Sequence, residues 1–84
     1  MTTITPIEQL MLINTLLSSK QKFNYSLAFI ARYINTSIDS SLQRLLIERY
    51  FQQRNLLTYI NHNLIHHANT RKKELEQQIE RTNH

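Results

Sequence analysis

The chain has no glycine, no cysteine and no tryptophan, and its single proline is Pro6. Glycine supplies the positive φ that tight turns need, and proline presets many of the others. A compact sheet protein of 84 residues needs many such turns. With so few turn-formers the expected fold class is all-α, built from very few and very long helices. The same absence excludes glycine-rich phosphate loops and dinucleotide fingerprints. Without cysteine there is neither a disulfide nor a thiolate metal site, which agrees with a reducing, cytoplasmic setting. Apolar runs such as Leu10–Ile13 are a few residues long, against about 20 for a membrane-spanning helix. Residues 1–5 carry no basic side chain and no long apolar segment follows, so neither a secretory leader nor membrane insertion is expected.

Charge of one sign is also thinly spread. Ten Lys and Arg against six Asp and Glu leave a net +4, of which +3 lies in residues 43–84. The basic cluster Arg71-Lys72-Lys73 is followed by Glu74, Glu76 and Glu80, which blunt its field. Nucleic acid binding needs clustered cations facing phosphates, so a solvated, mildly basic surface is the better reading.

The local signals that are present mark helix boundaries. Thr5-Pro6-Ile7-Glu8 is a capping box, with threonine at the N-cap, proline at the first helical position and glutamate three residues after the cap. Apolar residues then recur at helical spacing at Leu10, Ile13 and Leu17, and again at Leu27, Ile30 and Ile34. Between them Ser18-Ser19-Lys20-Gln21-Lys22 is wholly polar. Either one helix runs over about 6–35 with a polar waist, or it breaks there. The lack of glycine and proline favours one helix.

The segment Asn35-Thr36-Ser37-Ile38-Asp39-Ser40-Ser41 reads as a loop, because these side chains bond their own backbone. Asn35 can take the left-handed conformation that ends a helix, and Asp39 or Ser40 can cap the next, with Gln43 completing a box. The second helix is expected over about 40–70, with the stripe Leu42, Leu46, Tyr50, Leu57, Ile60 and Leu64 widened by Leu45, Leu56 and Ile65. Leu75 and Ile79 continue the period weakly, so 69–84 is expected to be a polar, fraying helical tail. The architecture that follows is a single domain over 1–84, an antiparallel helical hairpin with a coiled-coil-like seam. One seam cannot cover all the apolar side chains; Tyr33, Phe51, Leu56, Tyr59 and Ile65 do not share a face. The chain is therefore expected to complete its core against another protein or a second copy of itself.

Catalytic and metal constellations are weak. His62 and His66 stand four apart with His67 adjacent, a spacing that can ligate a metal, but no third ligand is implied and a polar surface patch explains them better. Ser18, Ser19, Ser40 and Ser41 suit helix boundaries rather than a nucleophile needing a base and oxyanion hole. No enzyme activity and no cofactor are expected. Tyr50, Phe51 and Tyr59 interleave with Arg44, Arg49 and Arg54, a mixture common at protein interfaces.

Two segments carry a family resemblance. Met1-Thr2-Thr3-x-Thr5-x-x-Glu8-x-Leu10-x-Leu12 resembles the opening of the small E-type co-chaperones of bacterial type III secretion systems. Leu45-Leu46-x-Glu48, then Gln52, then Asn55-Leu56-Leu57-x-x-Ile60 is similar to that group's second helix. The resemblance implies a non-enzymatic helical hairpin of bacterial virulence systems. It would pair with a helical-repeat chaperone and hold the secretion needle subunit soluble in the cytoplasm before export. The matched positions that would meet partners are Leu45, Leu46, Leu56, Leu57 and Ile60; Tyr59 and Leu64 extend the same stretch. The chain departs from the pattern in an inter-helix loop that is shorter and in Arg44, Arg49 and Arg54. Alternatives are a small helical regulator, dimeric or not, that binds DNA or a transcription factor, and a phage- or plasmid-encoded inhibitor.

Overall fold

The computed structural model describes residues 4–18, 27–36 and 38–82, and within them the regular elements are four α-helices. These are α1 (Pro6–Leu17), α2 (Leu27–Ile34), α3 (Ser40–Gln53) and α4 (His62–Thr82). The all-α class holds; the two-helix layout is corrected at both of its long helices.

The first helix starts as its sequence dictates. The Thr5 hydroxyl accepts from the Glu8 N–H at 3.1 Å and donates to the Glu8 carboxylate at 3.3 Å. The other carboxylate oxygen of Glu8 accepts from Arg32 on α2 at 3.2 Å. The helix stops at Leu17 because Ser18 takes extended dihedrals, φ −70° and ψ 114°. Its freed carbonyl accepts from the Arg49 guanidinium of α3. A break without glycine is thus supported by a donor 31 residues away. The single helix over 6–35 is replaced by α1 and α2; most of the polar waist, residues 19–22, lies outside the described residues.

The loop before α3 matches its sequence signals in position and differs in detail. Asp39 is the N-cap, accepting from the Ser41 N–H at 2.7 Å. Gln43 reaches back to the carbonyls of Ile34 and Thr36 rather than completing a box with Ser40. Ile38, a loop residue, is buried in the core.

The second long helix breaks after Gln53. Asn55 sits at φ +60°, the one positive φ among the described residues. Its N–H bonds the Gln52 carbonyl at 3.0 Å, and the Leu56 N–H bonds the Phe51 carbonyl at 2.9 Å. This is a Schellman motif with asparagine in the left-handed position usually held by glycine. The chain then runs irregularly to Asn61, whose side-chain oxygen accepts from the Asn63 N–H at 2.9 Å and opens α4.

The expected tail is part of α4, which runs unbroken for 21 residues. Leu64, Ala68 and Leu75 form its buried stripe. Helix α1 packs antiparallel on it, bringing Thr5, Pro6 and Ile7 beside Gln78, Ile79 and Thr82. Farther along the seam, Arg71 donates to Gln9 at 3.1 Å and to Glu74 at 3.0 Å. The hairpin of this protein is therefore made by its first and last helices. Helix α3 packs on α4 and α1, and α2 packs on α3. Leu12, Ile13 and Leu16 from α1, Ile30 and Tyr33 from α2, Leu42, Leu45 and Leu46 from α3 and the α4 stripe form one apolar core. On α1 the buried residues are Gln9, Leu12, Ile13 and Leu16; of the expected line Ile13 is buried, while Leu10 and Leu17 are partly buried against the core.

Candidate partner-binding surface

The Schellman turn after α3 determines which apolar side chains remain outside. Helix α3 buries Leu42, Leu45 and Leu46 against the core, and its opposite face carries Ile47 and Phe51. The turn then reverses the chain before its apolar residues can join the seam. Leu56 is left 69% exposed and Tyr59 83%, with Phe51 at 42%. The Leu56–Phe51 backbone bond holds these two residues next to each other. Single exposed apolar residues are ordinary on a protein surface, whereas several large ones close together in the chain make a candidate interaction surface.

The residues expected to meet a partner divide into three groups. Leu45 and Leu46 are fully enclosed and Leu64 is 9% exposed, so all three serve the core and are removed from any partner face. Leu57 and Ile60 are half-buried, Ile60 packing against the core. Leu56 and Tyr59 are exposed, as are Phe51, which the aromatic–arginine mixture had already marked, and Ile47, which was not among the expected contacts. The helical period of α3 could have added Ile47: it lies four residues from Phe51 and opposite the Leu42–Leu46 face. Of the five apolar residues too many for one seam, Tyr33 is buried and Ile65 packs on the core, while Phe51, Leu56 and Tyr59 stay exposed.

The three arginines of this region do not form a stripe. Arg49 is turned inward, donating to Ser18 and to the Gln52 side chain at 2.9 Å. Arg54 lies over the Tyr50 ring at 5.5 Å, and Tyr50 meets Phe51 with ring centroids 5.9 Å apart. A phosphate-tracking surface needs several cations on one face, and α3 offers two exposed ones.

The histidines separate as well. His62 and His66 are exposed, while His67 places Nε2 2.7 Å from Asp39. Among the described residues no three His, Asp or Glu side chains gather as a metal site. Burial raises the Asp39 pKa, but the His67 hydrogen bond, the Ser41 and Leu42 N–H groups and the His67 charge together hold it below the ordinary 3.8. This contact ties the cap of α3 to α4 across 28 residues. No sequence signal joins the two, although each was singled out separately.

A second apolar area lies at the far end, where Ile7 and Met11 project from α1 beside an open groove of about 130 Å³ between Thr5–Ile7 and Gln78–Thr82. No described helix is long and apolar enough to cross a membrane. Comparison with known protein families, with curated proteins and with solved structures returns no match to this chain.

Proposed function

We propose that this chain is a non-enzymatic binding protein that engages a helical partner through the surface formed by Phe51, Leu56 and Tyr59. The observation that carries the proposal is the exposure of these three large apolar residues at and just after a hydrogen-bonded turn. Fully burying a leucine or an aromatic side chain is worth about 1.5–3 kcal/mol, and such side chains are the usual anchors of a protein interface. With the resemblance of the 45–60 segment to E-type co-chaperones, the reading becomes a type III secretion co-chaperone. It would pair with a helical-repeat chaperone and keep the needle subunit unpolymerised before export, in the cytoplasm.

The test is co-purification with a helical-repeat chaperone and a needle subunit from such a system. Wild type should be retained, and Leu56→Asp and Tyr59→Asp, both at exposed positions, should lose the partner while keeping their helical circular dichroism. Equal retention of wild type and both variants, or no retention of wild type, would refute the reading.

A further inference from the structure

The outer face of α3 has a charge pattern that specifies the chemistry of its partner. Arg44, Ile47, Phe51 and Arg54 follow one another at spacings of three, four and three, and all four are exposed. They lie on one side of the helix, opposite the buried Leu42, Leu45 and Leu46. Two apolar side chains are therefore bracketed by two guanidinium groups, about 15 Å apart along the axis at 1.5 Å per residue. Among the described residues neither arginine has a carboxylate partner. The single carboxylate within α3, Glu48, is half-buried with its Oε2 enclosed. Beyond Arg54, Leu56 and Tyr59 of the connection are exposed as well.

We infer that the occupant of this face is an amphipathic helix whose apolar stripe is bracketed by carboxylates about three turns apart, one set for Arg44 and one for Arg54. Arginine suits this role because its planar fork pairs with carboxylates in two parallel hydrogen bonds. Stacking on Tyr50 already holds the Arg54 head at the surface. Apolar contact at Ile47, Phe51, Leu56 and Tyr59 supplies affinity, and the two charge pairs set register and direction. This inference rests on the binding surface proposed above and adds the partner's charge pattern.

The probe is a set of three fluorescent helical peptides with one common apolar stripe. They differ in the two flanking positions, which are glutamate, glutamine or lysine. The glutamate peptide should bind the full chain about tenfold more tightly than the glutamine peptide at low salt, and the lysine peptide more weakly than either. The advantage should shrink as added salt shortens the screening length from about 30 Å at 0.01 M to about 10 Å at 0.1 M. The double variant R44E/R54E, at exposed positions, should reverse the order. If all three peptides bind equally and Y59D abolishes all of them, the charge pattern is wrong and the apolar surface stands. If none binds, both are wrong. Displacement of the glutamate peptide by a single-stranded RNA of equal charge would overturn the inference in favour of a phosphate ligand.

Discussion

The seam between α1 and α4 and the connection between α3 and α4 contain similar residues and use them in opposite ways. In the seam Leu12, Ile13, Leu16 and Leu75 are enclosed, the helix start is capped, and Gln9 and Arg71 satisfy each other. At the end of α3 and in the connection Phe51, Leu56 and Tyr59 face solvent although their side chains are as large, and those of Phe51 and Leu56 as apolar. Hydrophobicity of a residue therefore does not determine its burial in this chain. The backbone decides it: α4 runs unbroken for 21 residues and packs along α1, whereas α3 ends at the left-handed Asn55 and leaves Leu56 in the irregular connection. One region is closed off from solvent and the other leaves large side chains exposed to it.

The sharpest test of that contrast is a matched pair of leucine truncations. Leu46→Ala should cost about 2–5 kcal/mol through the lost contacts and the cavity left behind. Leu56→Ala should stay within about 0.5 kcal/mol, as exposed substitutions do. Urea unfolding followed by circular dichroism measures both, and equal losses would place Leu56 in the core.

A smaller effect concerns the tie that joins the two regions. Asp39→Asn keeps a capping side chain and removes the charge, so about 1 kcal/mol or less should be lost near neutrality. The pH dependence is more telling. The folded state holds the Asp39 pKa below 3.8, so on acidification the unfolded chain takes up this proton first. The stabilisation is complete well above pH 3.8 and is lost as pH falls through the lower folded value. Wild type and variant should converge in stability over that acidic window, and parallel curves would show that the Asp39–His67 contact carries no charge-dependent energy.

The smallest effect is expected at His66, which is exposed and one helical turn past His62. His66→Ala should leave melting temperature and partner capture unchanged within error. A loss of capture larger than that of Leu56→Asp would move the binding surface onto α4.

Much of the fold was legible because the relevant interactions are local. Thr5, Pro6 and Glu8 start α1 through contacts within one turn, and Asp39 caps α3 by accepting from the N–H two residues on. The two breaks were not legible. Ser18 ends α1 with a carbonyl that accepts from the Arg49 guanidinium of another helix. Asn55 ends α3 although Asn35, equally suited by type, does not show a positive φ. A non-glycine residue pays about 1–2 kcal/mol for the left-handed conformation, less than the burial gained by folding α4 back onto α1. Local propensity cannot decide between two asparagines when the deciding energy is made far away. The tail is helical as expected, but a single buried residue within it, Leu75, did not reveal that it packs on α1 instead of fraying. Of the expected partner contacts, Leu56 and Tyr59 were placed on the surface and Leu45, Leu46 and Leu64 in the core, because helical period alone does not say which face meets which neighbour.

Composition by itself determined that the chain is helical, that glycine-dependent sites are excluded and where α1 and α3 begin. Each of these follows from what single residues can do within one turn. Tertiary structure decided that there are four described helices rather than two, that the long seam joins the first and last, and that Phe51, Leu56 and Tyr59 remain outside. Those outcomes depend on burial between distant segments, whose energy exceeds the small local preferences that would have kept each helix running.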